Sequence, residues 1–95
     1  RERLRANLDA LRAFTARRPE FELLAADGGW VAVLRAPLVR SEEDWTLELL
    51  RRDVVAHPGH FYDFDHGAHL VLSLIVGPHE FAEGLARLEA LASAR

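Results

Sequence analysis

The sequence predicts an α+β fold, a two-layer sandwich in which a small, mostly antiparallel sheet carries helices on one face, in the order α-β-β-α-β-β-α. Three observations predict it. Apolar residues recur at helical spacing in three stretches, short apolar runs of strand length lie between them, and proline, glycine or aspartate separates most of these segments.

From Arg1 to about Arg18, Leu4, Leu8, Leu11 and Phe14 fall at spacings of four and three and define one stripe of a helix. Pro19 stops it, and Arg17 and Arg18 lie in its last turn, where cations complement the helix dipole. Phe21–Ala25 and Trp30–Arg35 read as strands joined by a turn containing Asp27-Gly28-Gly29, so a hairpin is expected. Both faces of the second strand are mostly apolar, which places it centrally in the sheet, and Pro37 ends it.

Ser41-Glu42-Glu43-Asp44 resembles a capping box opening a helix to about Arg52, with Trp45, Leu47, Leu49 and Leu50 as a broad apolar stripe. Val54-Val55-Ala56 reads as a short strand, followed by the polar and aromatic loop His57–Ala68. His69–Val76 is apolar on both sides apart from Ser73, whose hydroxyl is expected to find a backbone partner. Gly77-Pro78 opens the last helix, whose buried stripe is Phe81, Leu85, Leu88 and Leu91. Trp45 and Trp30 are both expected in the core.

The 95 residues are 49% hydrophobic and 28% charged with a net charge of −3, the profile of one globular domain and not of a disordered chain. No apolar run reaches the ~20 residues of a membrane helix. All 12 basic residues are arginine, so lysine-dependent covalent catalysis is excluded for this chain alone. Methionine is absent, so the chain is expected to be either processed or cut from a longer reading frame, and the uncapped start of the first helix favours a cut. Without cysteine there are no disulfides, zinc–thiolate sites or thiol nucleophiles, which fits the reducing cytoplasm. The charged N-terminus is no secretory signal, and a pI near 5.9 with only short arginine pairs gives no footprint for nucleic acid.

Four of the five histidines lie in His57-x-x-His60 and His66-x-x-His69, with Asp63 and Asp65 between them. Imidazole and carboxylate ligate zinc, nickel or iron, but no helical spacing here makes the rings converge. The competing reading is a loop whose histidines face solvent or another domain, and no metal is assigned. Acid–base work by His60 with Asp63 or Asp65 needs a cleft that so small a domain hardly supplies. The Asp27-Gly28-Gly29 turn lacks the spacing and following helix of a phosphate-binding loop.

The run Gly28–Arg35, the helix opened by Ser41-Glu42-Glu43 and ending Leu49-Leu50-Arg51-Arg52-Asp53, the segment Val54-Val55-Ala56-His57-Pro58-Gly59-His60-Phe61-Tyr62-Asp63-Phe64, the strand His69–Leu74 and the final amphipathic helix have a specific order. Together they resemble the small C-terminal domain of class I/II, fold-type I, pyridoxal-phosphate-dependent aminotransferases, over nearly the whole chain. The resemblance implies a mobile lobe that lines and closes the substrate cleft of a longer enzyme acting on an amino acid and a 2-keto acid. Pyridoxal phosphate and its lysine would then be held mainly by a large domain absent from this sequence, in a cytoplasmic homodimer. No catalytic residue falls in this chain on that reading.

Pro58, Gly59 and Phe61 match the family's cleft-facing loop, and His57, His60 and Tyr62 become lining residues by adjacency. One departure stands out: aligning the family's tyrosine-leucine-arginine-leucine-serine with His69–Ser73 puts Val71 where an arginine would grip the substrate carboxylate. The parent then either holds that carboxylate through another group, such as a loop histidine, or takes a substrate without it, or has lost activity. The alternative class is a free-standing α+β binding or dimerisation module.

Overall fold

A computed structural model describes residues 2–25, 30–59 and 68–94. Helix α1 spans Glu2–Arg17, α2 Glu42–Arg51 and α3 Pro78–Ser93; the strands are β1 Glu22–Ala25, β2 Val31–Ala36, β3 His57–Pro58 and β4 Ala68–Ser73. This is the expected α-β-β-α-β-β-α order. The strands form one antiparallel sheet in the order β1-β2-β4-β3. As expected from their apolar faces, β2 and β4 are its interior strands.

The alternation of side chains along a strand divides the sheet into two faces. Ala32, Leu34 and Ala36 of β2 and Ala68, Leu70 and Leu72 of β4 point into one core with Leu11 and Phe14 of α1, Trp45 and Leu49 of α2, and the Phe81, Leu85, Leu88, Leu91 stripe of α3. Helices α1, α2 and α3 therefore cover the same face. Each fully buried leucine among these contributes on the order of 1.5–3 kcal/mol. Phe14, Phe21 and Trp45 form an aromatic chain, with ring centroids 5.0 and 5.7 Å apart, and the Trp45 indole N–H donates to the Pro37 carbonyl at 3.0 Å.

Local chemistry sets the helix ends. The Ser41 hydroxyl accepts from the Asp44 N–H at 3.1 Å, as the sequence predicts for the start of α2. Its C-terminus closes with Asp53 at φ 62, so that the Asp53 N–H donates to Leu50 C=O (3.0 Å) and the Val54 N–H reaches back to Leu49 C=O (2.8 Å).

That closure corrects the expected strand Val54–Ala56. With the Val54 N–H spent on the helix end, pairing with β4 begins only at His57, and the sheet's edge strand is His57–Pro58. Three further expectations are corrected. The α2 stripe is narrower than expected, because the sheet takes Trp45 and Leu49 and leaves Leu47 and Leu50 exposed. Trp30 is 65% exposed, since it stands at a bend before β2 where strand alternation does not apply. β4 stops at Ser73, leaving Ile75 and Val76 partly in water. The Asp27-Gly28-Gly29 turn lies outside the described residues.

Candidate functional site

Two of the residues expected at the site, His57 and Val71, lie on the face of the sheet opposite the helices. His57 of β3 stands directly across from Val71 of β4, which in turn is paired with Val33 of β2. These three positions make one row across the sheet. His57 is exposed, whereas Val71 and Val33 are 2% and 8% exposed. A second row runs His69, Arg35, Glu22 across β4, β2 and β1. There the Arg35 guanidinium donates to Glu22 Oε1 at 2.8 Å, an ion pair between exposed side chains. The face thus sets an apolar row with an imidazole at its edge beside a row of ionisable groups.

His69 is buried, and the first residue of α2 serves it: its backbone N–H donates to Glu42 Oε2 at 2.8 Å, and its Nδ1 lies 3.8 Å from the same oxygen. The sequence marks Glu42 only as an acid at a helix start, and its second role has no local signal. Pro58, half-buried on the edge strand, sits where a residue without an N–H is tolerated, and Gly59 behind it is buried. Ser73 behaves as expected, its hydroxyl accepting from the Ile75 N–H at 3.4 Å.

Among the expected site residues the structure pairs His57 with Val71, while Pro58 pairs with Leu70, a core residue, and Gly59 follows it. His60, Phe61 and Tyr62 lie outside the described residues, as do Asp63, Asp65 and His66 of the weighed metal and acid–base sites. His57 and His69 stand on one face of adjacent strands, in diagonal positions typically about 7–8 Å apart. Among the described residues no group of three or more histidine, aspartate or glutamate side chains is placed to hold a metal ion, and no helix is long and apolar enough to cross a membrane.

A concavity lies elsewhere. A cleft of about 370 Å³ opens among the end of α2, residues 53–55, the end of β4 and α3, with Leu49, Leu72 and Phe81 in its walls. It is on the helix side of the sheet, away from Val71.

No family model and no curated protein matches the chain. Among solved structures the chain is similar to the alpha-aminoadipate aminotransferase LysN from Thermus thermophilus, complexed with N-(5'-phosphopyridoxyl)-L-leucine, with a TM-score of 0.77 and 24% identity. The chain has the fold of part of that enzyme. The similarity covers 96% of this chain and 24% of the aminotransferase chain, so the sequence spans about a quarter of the length of the structure it matches. The element order read from the residues and the fold shared with the aminotransferase agree.

Proposed function

We propose that the chain is the C-terminal small domain of a pyridoxal-phosphate-dependent aminotransferase, a lobe that lines and closes the substrate cleft of a larger cytoplasmic enzyme. The observation that carries this reading is the fold shared with alpha-aminoadipate aminotransferase over 96% of the chain at a TM-score of 0.77. The motif order running from Gly28 to the last helix supports it independently. The parent enzyme then exchanges an amino group between an amino acid and a 2-keto acid, and its partners are its own large domain and a second subunit.

The residues of this chain do not fit the role of holding the cofactor. None of the 95 is a lysine that could carry it covalently. The helix starts are equally unsuited to its phosphate: α2 opens with Glu42, Glu43 and Asp44, and at α3 the Glu80 carboxylate already accepts the Gly77 N–H at 3.3 Å. Cofactor chemistry thus belongs to the remainder of the polypeptide, and this chain contributes surface and closure.

Its contribution to substrate centres on His57, the exposed edge of the row through Val71. An isopropyl group cannot grip a carboxylate, and Arg35 is committed to Glu22. His57, directly opposite Val71 and exposed, takes that part through an imidazole N–H. In the full-length gene product, His57→Gln is expected to raise KM for the amino acid about tenfold with kcat within about twofold, the signature of lost ground-state and transition-state binding alike. An unchanged KM would move the carboxylate contact elsewhere.

The decisive experiment is the absorption spectrum of the full-length gene product purified with pyridoxal phosphate. A cofactor band that shifts when individual amino acids are added is the expected result. A protein that takes up no cofactor overturns the reading.

A further inference from the structure

Two residues of β4 flank Val71 on the face of the sheet opposite the helices, His69 on one side and Ser73 on the other, and both lie diagonal to His57. The side follows from alternation: Leu72 turns into the core, so Ser73 points the other way with Val71. The two flanking residues differ in their surroundings. His69 is buried, with its backbone N–H held by the Glu42 carboxylate. Ser73 is exposed, and its partner across β2 is the 41% exposed Val31, so the face is open to solvent at that end.

The Ser73 hydroxyl accepts from the Ile75 N–H at 3.4 Å, which steadies the oxygen at the end of the strand and leaves its own proton to donate. Among the described residues no acceptor takes that proton. His57 is exposed across from Val71, and even a neutral imidazole keeps one N–H donor. Diagonal positions on adjacent strands are typically about 7–8 Å apart. Two hydrogen bonds of about 2.8 Å, one to each oxygen, let a carboxylate lie between donors at that separation. The buried Val71 forms an apolar floor between them.

We propose that Ser73 is a second substrate-binding residue of this chain, its hydroxyl donating to one oxygen of the substrate carboxylate while His57 donates to the other above Val71. The inference rests on the aminotransferase reading for the identity of that carboxylate as the amino acid's own. Two single donors from adjacent strands then stand where one guanidinium would supply a bidentate grip. Arg35, on the same face, lies on the other side of Val71 from Ser73 and is held by Glu22, so the pair works by hydrogen bonding without a fixed positive charge.

Propionate, a carboxylate without an amine, tests this on the full-length gene product, both as an inhibitor of turnover and through the ring resonances of histidine-labelled protein. Saturable shifts of the His57 ring are expected, identified by their loss in His57→Gln. Ser73→Ala is expected to weaken propionate about tenfold and to raise KM for the amino acid by about the same factor with kcat within about twofold, and Ser73→Thr, which keeps the hydroxyl, to restore both. Ser73→Asp still accepts the Ile75 N–H and so spares the strand end, but it sets a negative charge against the carboxylate and is expected to raise KM at least about a hundredfold. Propionate affinity and KM unchanged in both Ser73→Ala and Ser73→Asp overturn the proposal, as do His57 resonances that ignore propionate in the wild-type protein. The cofactor spectrum of the same sample separates the two ideas. A normal spectrum and turnover with a KM indifferent to Ser73 sink the inference alone, and propionate binding that depends on Ser73 in a protein without cofactor sinks the aminotransferase reading alone.

Discussion

On α1, Arg3 and Asn7 stand one turn apart and together hold three successive carbonyls beyond the end of β4. The Asn7 amide donates to Leu74 and Val76 C=O at 2.9 and 2.8 Å, and an Arg3 guanidinium N–H donates to Ile75 C=O at 3.0 Å. Asn7 is 1% exposed, so its loss strands buried acceptors. Asn7→Ala is expected to cost about 2 kcal/mol in urea unfolding, and Asn7→Asp about 3–5 kcal/mol at neutral pH, because a carboxylate would face two carbonyls it cannot satisfy. A smaller loss for aspartate than for alanine would contradict this. The sequence puts Leu8, not Asn7, on the buried stripe; the structure buries Asn7 and leaves Leu8 only partly covered. The partners of Asn7, 67 and 69 residues away, were not legible either, because no local pattern encodes a contact of that range.

At the level of elements, the periodic segments were readable and the junctions were not. The stripe of α3, that of α1 except at Leu8, and the centrality of β2 follow from the pattern of apolar residues alone, whereas the displacement of the edge strand to His57 depends on a left-handed Asp53 that no spacing announces. Asp53→Gly is expected to stabilise the chain by about 0.5–1 kcal/mol, since glycine adopts positive φ without a Cβ penalty; thermal unfolding reads the gain. The pairing of α1 with α3 responds to pH. Hydrogen bonds from Arg17 and then Arg18 hold the Glu89 carboxyl below its ordinary pKa, as Arg52 does for Glu48 within α2. With the folded-state pKa lowered, the stability these ties contribute is present above the ordinary carboxylate pKa and is lost as pH falls through the depressed one. Glu89→Gln should therefore lower the urea midpoint at neutral pH and shrink its fall on acidification. An unchanged fall would mean that the ion pair with α1 contributes nothing in solution.

Across the whole molecule, the two tryptophans report on opposite environments. Trp45 is fully buried beneath Arg40, whose guanidinium carbon lies 5.4 Å from the ring, and Trp30 stands in water. Trp45→Phe is expected to leave a red-shifted emission that acrylamide quenches readily, and Trp30→Phe a blue-shifted, protected one. Trp45→Ala is expected to cost about 3–5 kcal/mol. The core was thus largely legible in the sequence, while only one edge of the candidate site was: Pro58 and Gly59 by motif, Val71 as a departure, but not the His57–Val71 pairing, which arises from two strands meeting in register. The contact of α1 with α3 also governs the order of events during synthesis. Arg17 and its partner Glu89 are 72 residues apart, and at about 5–20 residues per second a ribosome takes roughly 4–14 s to travel between them. For that interval Leu11 and Phe14 have no final helix to lie against. The nascent domain must carry an uncovered apolar stripe until α3 emerges, which makes this the stage at which a chaperone or a partner chain can intercept it.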